Sequence, residues 1–274
     1  MSQKKAFQWS SAGRSHVGMV RVINEDACLA LPERGLWAVA DGMGGHEAGD
    51  IASQMVVETL QQIAPPAGWA EFRETVREVL CEVNQRLREE SAQRYQNRTI
   101  GSTVVVLIAY ETQCACLWVG DSRIYRLRDG QLQQLTRDHS HVQELVDQGL
   151  IAPEEAHRHP LANVITRAVG SADDLQIDEV VHPLHSGDLF LLCSDGLNKT
   201  VSDEEIARLL DHSDHNCQEA VKAFIHLALM RDANDNVTTV VVNIGDEVVS
   251  DLAGESESES DTFVNPIPPD WYLQ

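Results

Sequence analysis

The chain has 274 residues, of which 43% are hydrophobic and 23% charged, so it can bury a large core and is not disordered as a whole. Its 43 acidic residues outnumber 21 Lys and Arg, which gives a formal net charge of −22. Because such a charge repels polyanions, we expect neither nucleic acid nor an anionic membrane as a partner. No apolar run approaches the roughly 20 residues that span a bilayer, and the first residues lack the apolar core of a signal peptide. We therefore expect a cytoplasmic protein.

Hydrophobic periodicity predicts a mixture of helices and strands. Pro65 and Pro66 end the first helix, and Ser202 with Glu205 forms a capping box that begins a later one. In chain order, we predict a strand at 36–40, helices at 48–64 and 72–95, strands at 101–110, 114–119, 124–128, 131–135 and 189–193, helices at 202–211 and 217–230, and a strand at 237–244. Several strands follow one another through short turns, which favours antiparallel sheets and an α+β sandwich over alternating parallel units.

The last 29 residues, 246–274, have a different composition from the rest of the chain. They contain eight acidic residues and no Lys or Arg, including an alternation of Ser with Glu at 255–260. This pattern is typical of a solvated, disordered tail. The sequence therefore predicts a folded domain over 1–245, which keeps a formal charge of −14, and a disordered tail over 246–274.

Four apolar, strand-like segments carry an acid at one end: Asp41, Asp121, Asp195 and Asp235. The segments before Asp41 and Asp195 are continuously apolar, so these two acids end buried strands. If the strands bring the carboxylates together, like charges at close range require a cation, and oxygen ligands alone favour magnesium or manganese. The alternative is that the acids are dispersed and face solvent. Asp129, before Gly130, is best explained as a hairpin turn.

Arg21 and Glu25 lie in the segment Arg-Val-Ile-Asn-Glu-Asp at 21–26. In a helix they would form an exposed pair of little consequence, whereas in a strand they would share a face. An arginine beside a hard metal site is suited to clamp a phosphate with two parallel hydrogen bonds. These residue types together indicate phosphoryl chemistry.

Eight short motifs over residues 10–245 resemble the PPM family of metal-dependent Ser/Thr protein phosphatases, the type 2C group, in its bacterial form. They are RVINED (21–26), ADGMGGH (40–46), GST (101–103), VGDSRIY (119–125), TRDHS (136–140), TRAVG (166–170), LLCSDGL (191–197) and NDNVTTVVV (234–242). The resemblance implies a four-layer αββα sandwich, in which two antiparallel sheets pack face to face with helices outside. It also implies a centre of two Mn²⁺ or Mg²⁺ ions at one end, and in bacterial members often a third ion.

By this resemblance the metal ligands are Glu25, Asp41, Gly42, Asp121, Asp195 and Asp235. Asp41 would bridge two ions, Asp195 and Asp235 would complete one site, and Glu25 with the Gly42 carbonyl would support the other. Asp121 with Asp195 would hold the third ion, and Arg21 would hold the substrate phosphate. The catalytic residues would then be Arg21, Asp41 and Asp195.

The implied reaction is hydrolysis of phosphoserine and phosphothreonine in proteins by a hydroxide that bridges the metals, opposing a Ser/Thr kinase. Eukaryotic members often have Asp-Gly-His, but here Met43 follows Gly42, so His46 is the nearest candidate for a general acid and a metal-bound water is its alternative. Residues 141–165 would form a mobile flap that helps to choose substrates. The histidines at 139, 141, 157, 159, 182 and 185 are expected to be solvated rather than zinc ligands.

Two other functions stay open from the sequence. One is a catalytically weak regulatory scaffold that binds partners through its tail, although none of the expected metal ligands is lost. The other is a two-metal hydrolase of small phosphorylated molecules. Residues 101–103 open an apolar strand, so we expect them to pack closely near the metals and not to supply a nucleophile.

Overall fold

The computed structural model describes residues 4–44, 48–94, 99–156 and 158–250. They form two sheets in which all paired strands are antiparallel. The first sheet contains, from edge to edge, β1 (Lys4–His16), β11 (Val237–Ser250), β10 (Leu189–Cys193), β7 (Arg123–Arg128) and β8 (Gln131–Gln134). The second contains β2 (Asp26–Leu31), β3 (Leu36–Met43), β5 (Val104–Tyr110), β6 (Gln113–Val119) and β9 (Asp178–Pro183), and the short β4 (Gly101–Ser102) pairs with the end of β3.

Helices cover the outer face of each sheet. The second sheet packs against α1 (Ala48–Gln61) and α2 (Trp69–Arg94), and the first against α6 (Asp203–His212) and α7 (Cys217–Met230). The short α3 (His141–Asp147) and α4 (Pro153–Ala156) lie within the predicted flap, and α5 (Asp195–Asn198) directly follows β10. At the start of α6, the Glu205 carboxylate accepts a hydrogen bond of 3.1 Å from the backbone of Ser202, as the capping box predicts.

Alternation along the strands divides the interior into three apolar layers. On β3, Trp37 and Val39 face the other sheet, whereas Ala38 packs toward α1 and α2. On β10, Phe190 points between the sheets in the same way and is fully buried. Burial on both faces explains why the central strands have continuous apolar runs. The α+β class and the αββα order that the sequence analysis predicted are therefore confirmed.

Three strands were missed by the sequence analysis: β1, β2 and β9. All three lie at a sheet edge, where a strand pairs on one side only. The apolar patterns of β1 and β9 are interrupted by polar residues, whereas β2 has an apolar run at 27–31 that the sequence analysis passed over. The predicted strand at 101–110 is interrupted at Thr103, since β4 pairs with β3 while β5 pairs with both β3 and β6.

The last strand differs in length from its prediction. It continues to Ser250, which pairs with Lys4, and therefore extends five residues past 245, where the folded domain was predicted to end. The partner strand at the N-terminus supplies the hydrogen bonds for this extension, and that strand was not anticipated. The rest of the predicted tail, 251–274, lies outside the described residues. Within the described ranges, no helix is long and apolar enough to cross a membrane.

Candidate active site

The predicted site residues meet at one end of the sandwich. A cavity of about 330 Å³ there is lined by Arg21 and by all six predicted metal ligands, which are Glu25, Asp41, Gly42, Asp121, Asp195 and Asp235. The side chains come from the loop before β2, the end of β3, the loop after β6, the start of α5 and the residue before Asn236 and β11. His46, the candidate general acid, lies outside the described residues. The acids are therefore clustered and not dispersed over the surface.

The end of β3 is held in place by the segment Gly101-Ser102-Thr103. The carbonyl oxygen of Asp41 accepts hydrogen bonds from the Thr103 backbone at 2.8 Å and from the Ser102 hydroxyl at 3.0 Å. The Asp41 backbone in turn donates to the Thr103 hydroxyl at 3.2 Å. As expected from the sequence, Ser102 and Thr103 pack closely beside the acid, and their hydroxyls are occupied by these bonds and by Ser122.

Two glycines let three chain segments approach one another beside Asp41. A Cβ atom on Gly42 would lie 1.8 Å from the carbonyl oxygen of Gly49, in the first turn of α1. A Cβ atom on Gly49 would lie 2.3 Å from Oε1 of Glu25. The backbone nitrogen of Gly42 also donates to the carbonyl of Glu25 at 3.0 Å. Only glycine at these positions lets the Gly42 backbone and the Glu25 carboxylate share one corner of the cavity.

Asn236 fixes the loop that carries Arg21 and Glu25. Its side-chain oxygen accepts from the Glu25 backbone at 2.8 Å, and its amide donates to the carbonyls of Val17 and Ile23. Arg21 itself donates from Nη2 to Oδ2 of Asp235 at 3.0 Å. The sequence analysis included Asn236 in a motif but assigned it no role, because its partners lie more than 200 residues away.

Asp195 begins α5, and each of its carboxylate oxygens has a different environment. Oδ2 accepts a hydrogen bond from the ammonium group of Lys199, one helical turn later. Oδ1 is buried and has no hydrogen-bond partner among the described residues. Leaving a buried carboxylate oxygen unpaired is costly, so this atom is directed at a group that a ligand would supply.

Asp26 is a further acid of the site that the sequence analysis did not assign. It faces Asp41 across the β2–β3 ladder and is 4% exposed. Its Oδ2 accepts from the Ser194 hydroxyl at 2.7 Å, whereas Oδ1 is buried and lacks a hydrogen-bond partner in the described part of the chain. Burial raises the pKa of Asp26 to about 7, and the charge of Asp195 adds to this effect.

The electrostatics of the cavity favour a divalent cation. Burial and then the charges of Asp26 and Asp195 raise the pKa of Asp41 well above its usual value. Burial and the charge of Asp195 likewise raise the pKa of Asp121 to about 7. Each shift means that the ionised carboxylate lacks a compensating positive charge, which an ion would supply. The donors are hard oxygen atoms, and Mg²⁺ and Mn²⁺ prefer these.

In this structure two of the acidic side chains of the cavity form ion pairs with basic residues, and the acids do not form a closed ligand shell. Arg21 binds Asp235 and Lys199 binds Asp195. In the part of the chain that the structure describes, no three His, Cys, Asp or Glu side chains converge closely enough to hold an ion as they stand. Buried oxygens without a hydrogen-bond partner belong to Asp26 and Asp195, and raised pKa values belong to Asp26, Asp41 and Asp121. These neighbouring carboxylates together lack positive charge, so the residues present fit divalent ions.

His139 departs from the expectation that the histidines are solvated. It is 7% exposed and stacks on Trp118 with ring centroids 6.1 Å apart. Its Nδ1 accepts from the Gly120 backbone at 3.1 Å, and its own backbone nitrogen donates to the Gly120 carbonyl at 2.9 Å. Burial lowers the pKa of His139, which keeps Nδ1 available as an acceptor. The histidine thus fixes the residue before Asp121.

The other histidines of this group differ from His139. His141, His159, His182 and His185 are exposed or partly exposed, and His157 lies outside the described residues.

A larger cavity of about 800 Å³ adjoins the acidic one. Segments of the predicted flap form part of its wall, including Pro153, Arg158 and His159. The boundary between the two cavities is shared by five residues, which are Arg21, Asp121, Asn163, Lys199 and Asp235. A group entering from the larger cavity therefore meets Arg21 and Lys199 before it reaches Asp41.

The protein has two antiparallel sheets between layers of helices and an acid-lined cavity at one end of the sheets. This architecture is that of the PPM-type phosphatases. Comparison with known proteins agrees, since the family model for Protein phosphatase 2C matches residues 12–234. The chain belongs to the protein phosphatase 2C family.

The match to this chain covers different shares of its individual relatives. The serine/threonine protein phosphatase PstP of Mycobacterium tuberculosis is 35% identical over 259 residues, which is 93% of this chain and 49% of PstP. The chain thus spans about half the length of that relative. Serine/threonine phosphatase stp of Listeria monocytogenes is 35% identical over 236 residues, 84% of this chain and 93% of that protein.

Solved structures show the same fold. PppA, described as a key regulatory component of T6SS in Pseudomonas aeruginosa, is 48% identical with a TM-score of 0.81, covering 88% of this chain and 99% of that one. The catalytic domain of PstP in complex with two manganese ions is 35% identical with a TM-score of 0.78, covering 88% of this chain and all of that one.

Proposed function

We propose that the chain is a Mn²⁺- or Mg²⁺-dependent protein serine/threonine phosphatase. The observation that carries this proposal is that one cavity is lined by Arg21 together with five carboxylates, Asp41 among them. A hydrolase of phosphate monoesters needs hard cations and a phosphate clamp in one place, and this cavity contains side chains suited to both. The manganese-bound structure of PstP supports the choice of metal.

Within this proposal five of the six predicted ligands would hold two ions. Asp41 would contact both, Asp195 and Asp235 would complete one site, and Glu25 with the Gly42 carbonyl would support the other, which leaves Asp121 outside the two-ion set. The unpaired Oδ1 of Asp195 and the close packing of Gly42, Gly49 and Glu25 support this division. When bound, the ions supply a water of lowered pKa as the nucleophile and neutralise charge on the phosphate.

Arg21 binds and orients the substrate phosphate. Its guanidinium is held by Oδ2 of Asp235, and its side chain keeps 48% of its surface exposed toward the two cavities. A planar guanidinium gives two parallel hydrogen bonds to a phosphate, so a lysine there would carry the charge without the orientation. Arg21 would thereby hold the phosphate in a fixed orientation at the boundary of the two cavities.

The substrate is a phosphorylated segment of a protein and the counterpart enzyme is a Ser/Thr kinase. The 800 Å³ cavity beside the acids offers room for residues that flank a phosphoserine or phosphothreonine. The flap over 141–165, with α3 and α4, lines this cavity and so would contact those flanking residues. The names of the relatives as serine/threonine phosphatases support this substrate class.

His46 remains a predicted general acid for the leaving seryl or threonyl oxygen. Its alternative is a metal-bound water. Full activity of His46→Ala with a phosphothreonine peptide would eliminate the histidine and leave the water.

The decisive experiment measures release of inorganic phosphate from a phosphothreonine peptide with manganese, with magnesium and with a chelator. We expect metal-dependent release by the wild type, nearly complete loss in Asp195→Asn, and full activity in the matched control Asp129→Asn, which changes an acid at an exposed hairpin turn. An inactive wild type that still binds manganese would favour a regulatory scaffold. Turnover of small phosphate esters but not of the peptide would favour a small-molecule hydrolase.

A further inference from the structure

Lys199 connects the acidic cavity to the flap. It directly follows α5, and its ammonium group donates to Oδ2 of Asp195 and, at 2.8 Å, to the side-chain oxygen of Asn163. Its side chain is only 31% exposed. A lysine gives up much of its hydration in such a position only where fixed negative charge compensates it.

Asp121 is the second acid near this ammonium group. Lys199 and Asp121 lie together on the boundary that separates the two cavities. The hydrogen-bond partners of Lys199 are the Asp195 carboxylate and the Asn163 amide oxygen, and the Asp121 carboxylate is the neighbouring negative charge on that boundary. The ammonium group thus lies where it can act on both carboxylates.

The charge of the cavity bears on how many ions it needs. Its described lining contains five carboxylates and two cationic side chains, Arg21 and Lys199, which gives a formal charge of −3, and Asp26 beside Asp41 makes it −4 when ionised. Two divalent ions already balance this deficit. A third would bring further positive charge next to an ammonium group, and like charges at short range repel each other strongly where water is scarce.

The two oxygens of Asp195 can serve two cations at once. Oδ1 is buried without a partner in the described residues, so it is free for an ion, while Oδ2 is already bound by Lys199. An ion placed between Asp121 and Asp195 would have to compete with the ammonium group for Oδ2. The lysine is covalently tethered and therefore loses no translational freedom on binding, which puts a weakly bound ion at a disadvantage in this competition.

We propose that Lys199 is a resident cation that occupies the place between Asp121 and Asp195, so that this chain binds two divalent ions and excludes a third. The proposal rests on the proposed metal-dependent function, because it assumes the two-ion centre. Through Asn163 the same ammonium group holds the flap against the metal side of the cavity. Lys199 is thus a positioning residue, because it acts on the ligands and the flap.

The test counts the Mn²⁺ ions bound per chain, using the free-ion signal in electron paramagnetic resonance. The full chain is titrated to about 1 mM free Mn²⁺, the range in which weak oxygen-ligand sites fill. We expect two ions in the wild type, three in Lys199→Met, which keeps the length of the side chain without its charge, and two in Lys199→Arg. The matched control Lys222→Met, at an exposed lysine of α7, should bind two.

Three ions in the wild type, or two in Lys199→Met, would overturn the proposal. Fewer than two ions in the wild type and in Lys222→Met would instead overturn the two-ion centre itself, and with it the proposed function. Thermal melting with a chelator checks that Lys199→Met is folded before its ions are counted.

Discussion

The same strands build two regions of opposite character, the apolar interior between the sheets and the acidic cavity at their end. On β3, Trp37 and Val39 face the other sheet and are fully buried, and Asp41 continues the same face two residues later. On β2, Cys28 packs against the interior and Asp26 continues its face. The cavity is therefore the last layer of the interior, with acids where the other layers have apolar side chains.

Stability and function are divided along each of these strands. The interior layers gain stability from buried apolar surface, at roughly 25 cal/mol per Å². The acidic layer works against stability, because its buried carboxylates repel one another and their pKa values are raised. Replacements in the interior layers should thus lower stability and spare activity, whereas replacements in the acidic layer should lower activity and spare stability.

The largest effect is expected from Asp41→Asn. The amide keeps the size of the side chain but cannot bridge two cations, so we expect metal-dependent phosphate release to fall on the order of 10³-fold or more. Because the change removes a buried charge among like charges, the urea midpoint with a chelator should stay the same or rise. A fall in that midpoint together with retained activity would contradict the view that the acidic layer serves function and the interior layers serve stability.

The next effect is expected from Phe190→Ala in the interior layer. Phe190 is fully buried, with a relative exposure of 0%. Its truncation to alanine should therefore destabilise the fold by about 3–5 kcal/mol, because apolar burial is lost and a cavity is left. We expect phosphate release per folded molecule to be unchanged at a temperature where the variant is folded. Urea unfolding measures the first quantity, and Phe190→Leu should show a smaller loss. Activity that falls more than the folded fraction would show that the two regions are coupled.

The sequence predicts the central strands and the acids that follow them for one physical reason. A strand buried on both faces needs a continuous apolar run, and Asp41, Asp121 and Asp195 each stand where such a run stops. The edge strands β1 and β9 carry no such run, whereas β2 carries one at 27–31 that the sequence analysis passed over. The assignment of Arg21 and Glu25 depended on the family resemblance, because local spacing left a helix and a strand equally open.

The supporting residues of the site could not be predicted in the same way. Asn236 bonds to segments more than 200 residues away, His139 acts on Gly120, and Lys199 joins Asp195 to Asn163. These contacts exist only after the two sheets have packed. Asp26 was visible in a motif, but its burial depends on its register opposite Asp41 and on Ser194 from the other sheet.

The smallest effect, and the sharpest test of the division, is expected from Asp26→Asn. Burial raises the pKa of Asp26 to about 7 in the folded chain, from an ordinary value of 3.8 that applies when it is unfolded. The folded state therefore binds this proton more tightly, and stability falls as the pH rises from the ordinary pKa through about 7. The asparagine cannot ionise and can still accept a hydrogen bond from the Ser194 hydroxyl, so it removes this loss.

Urea unfolding with a chelator measures the difference between the two proteins. We expect Asp26→Asn to be more stable than the wild type at about pH 8, and the gain to shrink as the pH falls from about 7 toward the ordinary value of 3.8, since the folded wild type then carries the proton. Ser194→Ala provides the control, because it leaves the acid but removes its hydrogen-bond donor and should destabilise the protein most at high pH. A gain from Asp26→Asn that does not change with pH would mean that its charge is already compensated, and that the acidic layer costs the fold no stability.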